Sequence, residues 1–195
     1  LSCYSPEQLP ASTAIYVTAK AAAVPVFVRV DRAVNYERKS LMLDPNNNAI
    51  TALNVEINAL LADHFALYMK TKNFHWHVKG PRFRDLHLLF DEQAIEIRDQ
   101  IDAIGERVRK NGGNTLTSIG SVTEHTQIKD QDSTTLSAED MITELRDDNR
   151  KLVERLKSMK PLADDASDNA TDGLIDDWTD MAEERVWFLN SLLDG

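Results

Sequence analysis

The chain divides into long segments with helical spacing of apolar residues and short segments rich in Gly, Pro and polar residues. The first long segment, residues 49–79, contains neither Gly nor Pro and follows the break "LDPNNN". Its apolar side chains recur at helical intervals, at Leu53, Ile57, Leu60 and Tyr68. This spacing is typical of a helix with one buried face, and Gly80-Pro81 ends it.

A second segment, residues 83–110, has the strongest helical pattern. Its apolar residues alternate in steps of four and three, at Leu86, Phe90, Ala94, Ile97, Ile101, Ile104 and Val108. It stops before Asn111-Gly112-Gly113, which is a C-cap signal. The pattern therefore predicts a helix that ends at Lys110.

Two more helices are predicted in the second half of the chain. The third begins at Ser137, whose distance from Asp140 resembles a capping box, and is expected to end before Pro161. The fourth begins within residues 167–172 and ends at about Leu193. Their apolar positions are Leu145, Leu152, Leu156 and Met159 in the third helix, and Leu174, Trp178, Met181, Phe188 and Leu192 in the fourth.

Residues 111–136 are rich in Gly, Ser, Thr, Asn and Asp. They predict a long connection that contains one short helix. No segment has a strand period of comparable strength. The pattern thus predicts an all-α protein, a four-helix bundle with one long crossover between the second and third helices.

Composition and charge indicate one domain with an acidic body. The 195 residues are 42% hydrophobic and 28% charged, with a net charge of −10. Five basic and three acidic residues make residues 1–40 net +2, so residues 41–195 carry −12. An acidic body attracts cations and disfavours a surface that coats nucleic acid. We interpret 45–195 as the domain and 1–44 as an extension that is disordered or partly artefactual, because the chain begins with Leu.

The N-terminal extension also indicates where in the cell the protein is expected. Cys3 is the only cysteine, so an intrachain disulfide is excluded and a reducing compartment, the cytoplasm, is expected. The apolar run "AAAVPVFV" at residues 21–28 is too short to span a bilayer and contains Pro25. No signal-peptide cleavage pattern follows it. The sequence therefore predicts no membrane association.

Four potential metal ligands share one flank of the second helix. With His87 taken as zero and about 100° per residue, Asp91 falls near 40°, Asp102 near 60° and Glu106 near 100°. Asp91 and Asp102 are about 16 Å apart along the helix axis, too far for one metal ion to bridge. The alternative is a set of solvated charges on an exposed helix.

A two-fold axis would bring these ligands together. Positions 87 and 106 share their midpoint with positions 91 and 102, so an antiparallel copy would place His87 and Asp91 opposite Asp102 and Glu106. An axis near Glu96 would build two identical sites from two chains. Imidazole with carboxylate, without thiolate, suits iron, manganese or zinc.

The segments "NFHWHVKGPRFRDLHLLFDEQ" and "QIDAIGERVRKNGG" resemble the Dps family, the dodecameric mini-ferritins named as DNA-binding proteins from starved cells. The resemblance covers roughly residues 45–193 and implies a ferritin-like bundle. It places ferroxidase ligands at His75, His87 and Asp91 of one subunit and at Asp102 and Glu106 of its two-fold partner. The chain has Gly105 where the family commonly has Ala. It also lacks the Glu-x-x-His with which larger ferritins build a site inside one subunit.

The resemblance implies a function. Fe(II) is oxidised to Fe(III), preferably by hydrogen peroxide, and ferric mineral is stored in a hollow homododecamer, which protects the cell and its DNA.

Trp76 is expected either to quench stray oxidising equivalents or to pack at the subunit contact. A helical His75 and His77 are about 200° apart, so only His75 is predicted to bind metal. His64 is expected to be a buried or interface residue, and His125 a surface residue.

Two further expectations concern partners. Asp168, Asp172 and Asp176 lie four residues apart on one helix face. The resemblance implies an acidic pore there through which iron passes, whereas the alternative is a solvated helix N-terminus favoured by the helix dipole.

The second candidate function is DNA compaction in the nucleoid by the basic N-terminal tail. That tail holds only five basic residues in forty, so tight DNA binding is not favoured.

Overall fold

The computed structural model describes residues 45–193. They belong to one compact unit, Pro45–Gly195. The N-terminal extension, residues 1–44, which we interpreted as disordered or partly artefactual, lies outside the described residues. Within the described range no helix is long and apolar enough to cross a membrane. The helices are α1 Pro45–His77, α2 Phe83–Lys110, α3 Ile119–His125, α4 Ala138–Asp165 and α5 Asn169–Ser191.

Two helical hairpins form the bundle. Helix α1 packs along α2, α4 packs along α5, and contacts between α1 and α4 join the pairs, while the short α3 lies against α1. The predicted apolar positions of α2 and α4 are buried, except that Ile101 is only partly so. The all-α bundle, with a short helix in its long connection, is therefore confirmed.

A tight turn closes the first hairpin. Gly80 has φ of 103°, a conformation that side chains with Cβ rarely adopt, and its carbonyl accepts a hydrogen bond from the Phe83 amide at 3.0 Å. The chain therefore reverses within five residues, 78–82. The end of α1 is thereby placed beside the start of α2.

The prediction that the third helix ends before Pro161 is wrong. Helix α4 continues to Asp165 and contains Pro161 in its last turns. Proline removes one helical hydrogen bond, but its ring here is exposed, while Ala163 and Ala166 beyond it are buried in the core. Burial of that last turn offsets the missing bond.

Ser167 ends α4 instead. It has φ of 53°, the left-handed conformation that glycine usually supplies. The Asp168 amide donates to the Ala163 carbonyl and the Ser167 amide to the Asp164 carbonyl, both at 2.9 Å. This pair of bonds is a Schellman motif. The sequence pattern missed it because the left-handed residue is serine.

The buried face of α5 also differs from the prediction. Phe188 is 42% exposed, whereas Arg185 is 1% exposed. The other buried positions of α5 are Thr171, Ile175, Trp178, Ala182 and Leu189. The predicted stripe followed apolar residues alone, so it included Phe188 and could not include the charged Arg185.

Arg185 joins three helices inside the bundle. Its Nε donates to Asn149 Oδ1 of α4 at 2.7 Å, and its Nη1 donates to Glu96 Oε1 of α2. Burial lowers the pKa of Arg185, and the nearby Glu96 charge opposes that effect. A guanidinium removed from water in this way needs its carboxylate partner.

Asp63, in the middle of α1, performs a similar function. This fully buried carboxylate accepts hydrogen bonds from Arg155 Nε of α4, from Thr126 Oγ1 and from the Gln127 amide, each at 2.8 Å. The long connection is thus attached to both hairpins.

Removing the partner of Arg185 should destabilise the bundle. We expect Glu96→Ala to lower the free energy of unfolding by about 3 kcal/mol, because it leaves a buried charge uncompensated. Glu92→Ala removes an exposed carboxylate one turn away and should change it by less than about 0.5 kcal/mol. Chemical denaturation of the two variants measures the difference, and equal midpoints would contradict a stabilising role for the pair.

Candidate metal centre

His75 and His87 bind each other's backbone. His75 Nδ1 donates to the His87 carbonyl at 2.7 Å, and His87 Nδ1 donates to the His75 carbonyl at 2.8 Å. The first histidine lies near the C-terminus of α1 and the second in the first turns of α2. The Gly80 turn therefore produces a reciprocal pair of bonds across the hairpin.

These bonds leave a metal-binding nitrogen on each ring. With the proton of a neutral imidazole held at Nδ1, the lone pair is on Nε2. The rings are stacked, with centroids 3.8 Å apart and planes at 21°. Because each lone pair lies in its own ring plane, His75 and His87 are suited to two neighbouring positions rather than to one shared ion.

Asp91 lies beside this pair, one turn along α2 from His87. Its Oδ1 accepts a hydrogen bond from Lys72 Nζ of α1 at 2.7 Å. This bond, together with the charges of Lys72, His75 and His87, holds the pKa of Asp91 below its usual value. The carboxylate is therefore ionised and already paired with a cation.

Lys72 was not singled out in the sequence. It precedes His75 by three residues, so the two share a helix face, and that spacing is the signal that could have identified it. Its ammonium also lies 5.8 Å from the centre of the Trp76 ring. Trp76 itself is 57% exposed in the single chain.

The other two predicted ligands lie toward the far end of α2. Asp102 and Glu106 are exposed, and Glu106 Oε2 accepts a hydrogen bond from Lys110 at 2.9 Å. The structure does not bring them to the histidines of the same chain. Among the described residues no group of three or more His, Cys, Asp or Glu side chains is placed to hold a metal ion.

Large apolar side chains are exposed on the same flank as these carboxylates. Leu88 and Ile95 of α2 are 42% and 43% exposed, and Met69 and Trp76 of α1 are 56% and 57% exposed. At about 100° per residue, Leu88 falls in the direction of Glu106, and Ile95 falls between the directions of Asp91 and Glu106. Exposed apolar side chains around a polar site are typical of a surface that another molecule covers.

Gly105, next to Glu106, is not required by packing. A Cβ atom there would lie 3.8 Å from Leu61 Cδ2, an ordinary contact. The glycine therefore departs from the family pattern without a steric reason in this chain.

The remaining histidines have other environments. His64 is fully buried and contacts the Leu60 carbonyl and the Gln100 side-chain amide at 2.9 Å each. His125 is exposed on α3, so the expectations of one buried and one surface histidine are confirmed. His77 Nδ1 contacts the Asn73 carbonyl of its own helix at 2.8 Å.

The three aspartates of the predicted pore differ from one another. Asp168 is 8% exposed and is the N-cap of α5, where it accepts hydrogen bonds from Thr171, Asn111 and Arg107. Burial raises the pKa of Asp168, but these partners outweigh burial and hold it below its usual value. Asp168 is therefore an internal structural carboxylate rather than a surface one.

Asp172 and Asp176 share a single cation. Lys160 Nζ of α4 lies 2.6 Å from Asp172 Oδ1 and 2.8 Å from Asp176 Oδ1. Hydrogen bonds to Asp172 and Asp176 raise the pKa of Lys160. Asp176 is 68% exposed at the surface of the single chain, whereas Asp172 is 32% exposed and its Oδ1 is buried.

Comparison with known proteins gives consistent matches. A family model described as a ferritin-like domain matches residues 55–195. The DNA protection during starvation protein of Brevibacillus brevis is 35% identical over 140 residues, covering 72% of this chain and 93% of that protein. The crystal structure of a Dps protein from Bacillus brevis matches with a TM-score of 0.72 and 34% identity, covering 75% of this chain and 97% of that one.

A second solved structure is described in more specific terms. The Dps protein of Vibrio cholerae O1, a member of a broad superfamily of ferritin-like diiron-carboxylate proteins, has a TM-score of 0.72 and 27% identity. The match covers 75% of this chain and 91% of that chain.

The buried His64 makes stability sensitive to acid. Burial lowers its pKa from 6.5 to about 4, so between these pH values the unfolded chain binds a proton that the folded chain does not. Stability should therefore fall as pH decreases through this window, by about 3 kcal/mol for this group. His64→Gln should remove that part of the slope in denaturation measured from pH 7 to pH 4. An unchanged slope would show that His64 is protonated in the fold.

Proposed function

Because this chain belongs to the Dps family of ferritin-like proteins, we propose that it is a ferroxidase. It oxidises Fe(II) at sites shared by two copies and stores the ferric product inside a hollow homododecamer. The observation that carries the proposal is the pair of imidazoles next to Asp91. In each ring Nδ1 donates to a backbone carbonyl, and Nε2 lies on the opposite side of the ring. Iron is the substrate of this chemistry.

The site is completed by a second chain. An antiparallel copy, related by a two-fold axis near Glu96, places Asp102 and Glu106 opposite His75, His87 and Asp91. The exposed apolar residues on this flank of α1 and α2 support such a contact, because the second copy would cover them. The absence of a complete ligand cluster among residues 45–193 of one chain agrees with a shared site.

The proposed ligands have different roles because they differ in charge. Asp102 and Glu106 are the anionic anchors of one Fe(II), and His75 is its neutral nitrogen ligand. His87 and Asp91 serve the neighbouring position. The stacked rings support this division because they favour two adjacent positions over one.

Two adjacent ferrous ions suit hydrogen peroxide as oxidant. Each Fe(II) gives one electron, the O–O bond breaks, and two protons complete two water molecules while two Fe(III) remain. Delivery of both electrons at one site avoids release of hydroxyl radical. This chemistry would protect DNA, the role named for the Brevibacillus brevis relative. Trp76, at the edge of the site, is proposed to quench stray oxidising equivalents.

Iron needs a path into the shell. Asp172 and Asp176 are proposed to line it, because they lie near the start of α5 and are more exposed than Asp168. Asp168 is left out of this proposal, since its carboxylate is committed to Arg107, Asn111 and Thr171. The described residues add no observation that favours DNA compaction, whose basic tail lies outside them.

The double variant Asp102→Ala, Glu106→Ala tests the site. We expect rapid peroxide-driven Fe(II) oxidation to fall by at least about 100-fold, because the anionic anchors of the metal are lost. Stopped-flow absorbance of the ferric product measures the rate, and size-exclusion chromatography measures assembly.

A matched control is Glu92→Ala with Asp99→Ala. These are exposed carboxylates on the same helix that carry the same charge. Oxidation and assembly should both be retained. Oxidation at the original rate in the Asp102, Glu106 variant would contradict the proposed site.

A further inference from the structure

Lys72 occupies an unusual position for a lysine. Its side chain is only 18% exposed, and its ammonium lies 2.7 Å from Asp91 Oδ1. Lys72 lies on α1 about one turn before His75, and Asp91 lies on α2 one turn after His87. Their ion pair therefore joins the two helices beside the two stacked imidazoles.

An ammonium and a divalent metal ion cannot both occupy this position. A metal bound to Oδ1 of Asp91 would lie about 2 Å from that oxygen, inside the region that Lys72 Nζ already holds. The two cations also repel each other strongly where water is partly excluded. Metal binding through Oδ1 therefore requires Lys72 to move, and metal binding through Oδ2 would place two cations on one carboxylate.

The Trp76 ring offers a place for the displaced ammonium. It follows Lys72 by four residues on the same face of α1, and Lys72 Nζ already lies 5.8 Å from its centre. That distance is within the range of a cation–π interaction. A side-chain rotation, without movement of α1, would transfer the ammonium from the carboxylate to the ring.

The other lysine near a proposed ligand differs from Lys72. Lys110 pairs with Glu106, but both side chains are more than half exposed, at 60% and 57%. Water can replace such a surface pair at little cost. Only the Asp91 position is held by a lysine that is largely buried.

Building on the proposed function, we propose that Lys72 is the resident cation of Asp91 and that a second metal ion binds by displacing its ammonium onto the Trp76 ring. The ion held by Asp102, Glu106 and His75 then binds first and tightly. The ion at His87 and Asp91 binds second and more weakly. Lys72 is thus a residue that sets metal occupancy rather than a ligand.

Calorimetric titration of the assembled protein with Zn²⁺ tests this without redox chemistry. We expect two binding steps per site in the unsubstituted protein. Lys72→Met keeps an unbranched side chain of nearly the same length but removes its charge, and should tighten the second step by on the order of tenfold while leaving the first unchanged. Lys72→Arg keeps the charge and should keep the second step weak.

Controls separate this effect from a change in net charge. Lys79→Met removes an exposed lysine near the end of α1 and should leave both steps unchanged. Tryptophan emission should change during the second step in the unsubstituted protein. That change should be absent in Lys72→Met and in Trp76→Phe, and Trp76→Phe should also weaken the second step.

The outcomes distinguish this inference from the proposed function. If Zn²⁺ binds in two steps and Lys72→Met leaves the second unchanged, Lys72 is not the competing cation and the inference is overturned. If Asp102→Ala with Glu106→Ala leaves the first step unchanged, the shared site itself is wrong. If Lys72→Met does not assemble, the Trp76→Phe titration decides: an unchanged second step overturns the displacement.

Discussion

The reciprocal hydrogen bonds between His75 and His87 are the interaction on which the candidate centre depends. Each imidazole donates to the backbone carbonyl of the other, so the end of α1 and the start of α2 hold one register. The same bonds commit the Nδ1 protons, which leaves Nε2 as the donor for a metal. One pair of contacts thus fixes both the hairpin and the nitrogen that each candidate ligand presents.

Charge is arranged differently inside and outside the bundle. Arg185 and Asp63 lie inside it, where each is hydrogen-bonded to partners from other elements, and these links hold the hairpins and the long connection together. The carboxylates available to metal lie at the surface or close to it. Three of these acidic positions carry lysines: Lys72 at Asp91, Lys110 at Glu106, and Lys160 at Asp172 and Asp176. An acidic protein that attracts cations can therefore carry its own cations where metals would bind.

Much of the fold could be predicted from sequence because its signals are local. Helix α2 has the predicted bounds, since its apolar periodicity and its Asn-Gly-Gly ending agree. The errors arise where tertiary burial outweighs local preference: Pro161 lies within α4 because the turn after it packs in the core, and Arg185 is buried because Glu96 and Asn149 pair with it.

The same difference between local signals and tertiary contacts applies to the candidate site. Spacing along one helix was sufficient to propose that a two-fold axis brings His87 and Asp91 opposite Asp102 and Glu106, and this relation stays a prediction. The sequence could not show that Lys72 reaches Asp91, or that Asp168 turns inward to Arg107, because these contacts join residues distant in the chain. They depend on how the helices pack, which no local pattern records.

The central claim is that each centre takes ligands from two chains, and subunit mixing tests it most directly. One variant lacks Asp102 and Glu106, and the other carries His75→Ala. Each alone should lack rapid Fe(II) oxidation. Co-assembled in equal amounts, they should regain about a quarter of the original sites, because half of randomly formed pairs contain one intact site of two. A mixed assembly as inactive as its parents would contradict a shared centre.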